Sequence, residues 1–99
     1  MHPFFAENFD RELACSEKDW LAWLPQALGG YPYQLVANAL TASIDAGQLR
    51  LSWRGAAPRG TAPMQPGRLL VSFRFIGLDA LQRYRVMKRF DLYTQRGSG

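Results

Sequence analysis

Few residues in this chain could do covalent or acid–base chemistry: one histidine (His2), one cysteine (Cys15) and eight carboxylates. Nucleophilic catalysis needs a base and an orienting group within reach of the nucleophile. A Cys15–His2 pair would require the N-terminal segment to fold back onto the start of a helix, where a thiol pKa can fall. The setting of Cys15 fits a small buried hydrophobe instead, the usual fate of a free cysteine. One His and one Cys cannot complete a tetrahedral zinc site. Glu7, Asp10 and Glu12 lie close in sequence but form no calcium-loop pattern. No G-x-S-x-G elbow, phosphate loop or dinucleotide fingerprint occurs. The expectation is a protein that is not an enzyme and holds neither cofactor nor metal.

The charged residues say more. Residues 1–49 carry Arg11 and Lys18 against Glu7, Asp10, Glu12, Glu17, Asp19 and Asp45. Residues 50–99 carry nine arginines and Lys88 against Asp79 and Asp91. An acidic first half and a basic second half imply electrostatic partners, within the fold or outside it. Ninety-nine residues, 47% of them apolar, suit a single domain over 1–99 with one core. No apolar run approaches the ~20 residues of a membrane span, and no signal-peptide pattern opens the chain. A single cysteine fits a reducing compartment, so a cytoplasmic protein is expected.

The elements that must position these charges follow from periodicity and caps. Ser16 and Asp19 have capping-box spacing, with Cys15 and Trp20 at the staple positions, so a helix begins there. Its apolar face runs through Leu21, Trp23, Leu24, Ala27 and Leu28 to a stop at Gly29-Gly30, with a kink or restart expected at Pro25. A second helix starts at Asp79, with Gln82 completing another capping box, and runs to about Gln95. Ala80, Tyr84, Met87 and Phe90 gather on one side of it; Arg85, Lys88, Arg89 and Arg96 gather nearly opposite. Leu49, Leu51 and Trp53 alternate with Arg50, Ser52 and Arg54, and Leu69, Val71, Phe73 and Phe75 alternate with Leu70, Ser72 and Arg74. That period of two predicts two half-buried strands. Asp45-Ala46-Gly47 reads as a hairpin loop with Gly47 at positive φ, pairing the first of these strands with 33–44. Residues 3–14 and 33–44 are read as strands, although both also show a helical spacing. Between Gly55 and Arg68 lies either a long loop or a short edge strand at Thr61–Gln65.

The expected architecture is α+β: an antiparallel sheet of three to five strands with two helices on one face, ordered β-α-β-β-β-α. If the two clear strands pair, their rings face the core and Arg50, Arg54 and Arg74 share the outer surface. With Arg85, Lys88 and Arg89 of the last helix, they are the candidate binding residues. Guanidinium groups suit carboxylates and phosphates, so the partner expected is an acidic protein surface or a nucleic-acid backbone. A homodimer is compatible with the pattern, and the acids of the first half could instead neutralise the basic half within the fold. Stacking of single-stranded bases is disfavoured, because the aromatic positions alternate out of register with the arginines. The element order resembles helix-grip and TATA-binding-like arrangements in order alone. That likeness implies an alternative, a small carrier of an apolar ligand in a helix-and-sheet cavity. Helix, three strands, helix is also similar to the double-stranded RNA-binding domain. The lysine-rich motif of that family's last helix is missing here, where the helix opens Asp79-Ala80-Leu81-Gln82.

Overall fold

A computed structural model of the chain describes residues 5–55 and 67–94. Among the described residues seven elements follow one another: β1 (Asn8–Leu13), α1 (Glu17–Ala27), β2 (Tyr33–Val36), β3 (Ala39–Ile44), β4 (Gly47–Gly55), β5 (Leu69–Ile76) and α2 (Ala80–Thr94). The five strands form one antiparallel sheet in the order β1-β5-β4-β3-β2. The architecture is α+β with both helices on one face. No described helix is long and apolar enough to cross a membrane.

Strands β4 and β5 alternate as their sequences require. Leu49, Leu51 and Trp53 of β4 and Leu69, Val71, Phe73 and Phe75 of β5 are buried. The helices close over them with Trp20, Leu24, Ala27, Val86, Met87 and Phe90. Rings fill the space between sheet and helices: Trp20 meets Trp53 and Phe90 with centroids 5.6 Å apart, and Phe73 meets Phe90 edge-on at 5.3 Å. Phe9 of β1 stacks on Phe73 at 4.8 Å. Edge-to-face and stacked pairs of this kind contribute roughly 0.5–1.5 kcal/mol each beyond burial.

The helix starts obey their caps. The Ser16 side chain accepts from the Asp19 amide at 3.1 Å, and Cys15 and Trp20 are both buried beside it. At α2 the box is reciprocal: the Gln82 amide donates to Asp79 Oδ1 and the Asp79 amide to Gln82 Oε1, both at 2.8 Å. Such caps contribute about 1 kcal/mol apiece. Helix α1 continues through Pro25 as one element.

Several local expectations are corrected. Residues 33–44 are not one strand but two, because the chain reverses at Ala37-Asn38 and β2 folds back on β3 with Val36 opposite Ala39. The order is therefore β-α-β-β-β-β-α. In the next hairpin the positive φ belongs to Asp45 (51°), not to Gly47. Gly47 is required for space: a Cβ there would stand 2.3 Å from the Ile76 carbonyl oxygen and 2.8 Å from that of Gly77. On α2 the buried stripe is Arg83, Val86, Met87, Phe90 and Thr94, so Ala80 is exposed and Arg83 is inside. Arg83 is held there by the carbonyls of Phe5 (2.8 Å from Nε) and Leu78 (2.7 Å from Nη1). His2, Arg59, the Thr61–Gln65 segment, Gln95 and Arg96 lie outside the described residues.

Candidate functional site

Because both helices take the inner face, no described helix lies over the outer face of the sheet, and strand alternation decides what stands there. The register arranges these residues in rows. Asn8, Arg74, Arg50, Thr41 and Gln34 make one row across all five strands; Asp10, Ser72, Ser52, Ala39 and Val36 make the next. Glu12, Leu70 and Arg54 begin a third. Between the first two rows runs a shallow open trough of about 430 Å³, walled by Arg50, Arg74, Asn8 and Asp10 and floored by Ser52, Ser72 and Ala39.

Arg50 and Arg74 are direct cross-strand partners. Like charges in that position cost the sheet a few tenths of a kcal/mol to about 1 kcal/mol. Arg74 donates from Nε to Asn8 Oδ1 at 3.2 Å, on the strand away from Arg50. Arg50 and Arg54 are exposed and have no hydrogen-bond or ion-pair partner among the described residues. The acids of β1 do not cover them. Glu12 pairs with Arg68 at 2.5 Å, and Asp10 faces Ser72 across the strand pair, diagonal to Arg74. The remaining β1 charge, Arg11, turns inward. It lies 5.6 Å from the Phe9 and Phe73 ring centroids and 5.8 Å from that of Phe5, and it pairs with Asp91 of α2.

The five candidate arginines and one lysine do not form one surface. Arg50, Arg54 and Arg74 share the outer sheet face, whereas Arg85, Lys88 and Arg89 are exposed on α2, in the layer on the other side of the sheet. The separation follows from packing: α2 lays Val86, Met87 and Phe90 on the inner face, which aims its basic stripe away from the outer one. Arg89 has a structural occupation, since its Nε donates to the Gln26 carbonyl at the end of α1 (3.1 Å) and its guanidinium stands 4.9 Å over the Tyr93 ring. Lys88 lies 6.0 Å from the Tyr84 ring.

Sequence reasoning missed the β1 side of the trough. The alternation of Asn8, Asp10 and Glu12 against Phe9 and Leu13 carried that signal, but Arg11 at an inward position broke it. Reactivity has little support in the surroundings of Cys15. Its thiol pKa is raised by burial and, secondarily, by the Asp19 carboxylate, so the site favours the protonated form. Among the described residues no three His, Cys, Asp or Glu side chains gather to hold a metal ion. What the open face can do is hold an anion against paired guanidiniums, with the Ser52 and Ser72 hydroxyls in the next row to accept or donate further bonds. The aromatic residues of β1, β4 and β5 all turn to the opposite face. No family model matches the chain, and neither a curated protein nor a solved structure is significantly similar to it.

Proposed function

We propose that the chain is a non-catalytic binding module whose open sheet face takes an acidic protein surface or a nucleic-acid backbone. One observation carries the reading: Arg50 and Arg74 stand side by side on the uncovered face, next to Arg54, with no carboxylate paired to them among the described residues. An arrangement that costs folding energy and is left unneutralised is accounted for by an anion that binds both guanidiniums. Recognition of this kind is electrostatic and weakly base-specific, since no ring of β1, β4 or β5 faces outward to stack on a base. Helix residues Arg85 and Lys88 belong to a different surface and are not needed for it.

The test is binding of the full chain to a labelled mixed-sequence oligonucleotide and, separately, to a labelled polyglutamate peptide, at low and high salt. Three arginine contacts to phosphates predict a slope of log K against log salt of about −2 to −3. The double substitution Arg50→Ser with Arg74→Ser should abolish binding of the probe that is recognised; Arg85→Ser with Lys88→Ser should leave it unchanged. Failure of both probes at low salt, or loss confined to the helix variant, would overturn the proposal.

A further inference from the structure

The two edges of the sheet are protected very differently. Edge strands expose a row of unpaired N–H and C=O groups, and soluble proteins guard them with charge, proline or bulges. β1, one edge, carries Asp10, Arg11 and Glu12. β2, the other, carries no charge at all, and no charged residue occurs anywhere between Asp19 and Asp45. Every residue of β2 is exposed, including Tyr33 at 41%, Leu35 at 47% and Val36 at 72%. Tyr33 and Leu35 stand opposite the buried Ala42 and Leu40, so they lie on the helix side of the sheet, yet both remain exposed.

The geometry points to a second copy of this chain as the occupant of that edge, with β2 pairing antiparallel to β2 about a two-fold axis at Gln34. The hydrogen-bond parity fixes the register. The Ser43 amide donates to the Pro32 carbonyl at 2.9 Å, so residues 32, 34 and 36 turn their backbone groups toward β3. Those of Tyr33 and Leu35 therefore look outward. In the two-fold arrangement Tyr33 of one copy meets Leu35 of the other, and the converse, exchanging four backbone hydrogen bonds that use every outward group of the strand. Side chains match as well. Each Tyr33 lies across from a Leu35 on the helix side, and each Val36 lies across from a Pro32 on the open side. This self-complementarity, residue i on j and j on i, is the requirement of an isologous interface. Charge agrees with it: two copies at net +4 repel one another overall, and this uncharged edge adds nothing to that repulsion. The product is a continuous ten-stranded sheet with all helices on one side and the two cationic troughs on the other. This pairing does not depend on what those troughs bind.

A four-residue edge makes a small interface, so association is concentration-dependent. Sedimentation equilibrium of the full chain should show the mass of one chain on the order of 1 µM and approach two chains on the order of 1 mM. Leu35→Lys adds a charge at a position already half-exposed, so the monomer still folds and should stay monomeric throughout. Amide exchange gives a second readout: Tyr33 and Leu35 should slow at least several-fold at the high concentration, while Gln34 and Val36 do not change. A chain that is monomeric at every concentration overturns the proposal, as does a Leu35→Lys variant that associates like the parent.

Discussion

Arg50→Thr should weaken anion binding and stabilise the fold at the same time, and the size of the second effect can be worked from the register. Arg50 and Arg74 are opposed on neighbouring strands, which places their Cβ atoms about 5 Å apart and their charges at about 7 Å once the side chains splay. Two unit charges at that distance in a water-like dielectric repel by roughly 0.6 kcal/mol. The bond from Arg74 to Asn8 is consistent with relief of that repulsion, since it draws the guanidinium toward β1. Threonine is well suited to a strand and matches its neighbour Thr41; any gain from that preference is independent of salt, unlike the gain from removing the charge. For a domain of about 100 residues, 0.6 kcal/mol corresponds to a rise in Tm of about 2–5 °C. Salt supplies the control. At about 1 M the Debye length falls to about 3 Å, so the gain from removing the charge should nearly vanish. Calorimetry at low and high salt measures both. A variant that melts below the parent at low salt, or whose gain is indifferent to salt, refutes the reasoning that these two charges oppose one another.

Three further outcomes are expected. Asp91→Ala leaves the Arg11 guanidinium among Phe5, Phe9 and Phe73 without its carboxylate; with both side chains about three-quarters buried, the loss should be about 1–3 kcal/mol by urea unfolding. Gly47→Ala drives a Cβ into the Ile76 and Gly77 backbone, which cannot rotate away, and should cost about 1–3 kcal/mol in the same assay; an unchanged midpoint would mean that the β4–β5 end yields freely. Burial raises the Cys15 pKa, so the folded state keeps its proton longer than the unfolded chain does. That contribution is intact below the ordinary thiol value and is lost as pH climbs through the raised one. The parent should therefore lose stability more steeply than Cys15→Ala once the pH passes the ordinary thiol value of about 8.5, and parallel profiles there would contradict the shift.

What could be read from residue order is what local physics determines. The caps at Ser16 and Asp79 name their own partners three residues on, and the alternation from Leu49 to Arg54 and from Leu69 to Arg74 has only one way to face a core. The reversal at Ala37-Asn38 was hidden because no glycine marks it; Ala37 takes a φ of 53° that alanine rarely adopts. The candidate surface was half legible for a similar reason. Which face a helix buries is set by the partner it meets, so Arg83 could be found inside and Arg89 against the end of α1 only once the two helices were docked. Likewise, the pairing of β1 with β5 brings Asn8 and Asp10 to Arg74 and Ser72 from more than sixty residues away, a distance that no periodicity spans.

That same pairing has a consequence for the order of assembly. Strands β2 to β5 follow one another along the sheet, and each can zip onto its predecessor as it emerges from synthesis. The first strand has no such neighbour. Phe9 must wait, unsheltered, until Phe73 has been made, and the Arg11–Asp91 clasp until the last helix has formed. The first of the five strands to be translated is thus the last of them to find its place, and the interval before it docks is when the nascent chain is most open to capture by chaperones or by a neighbouring molecule.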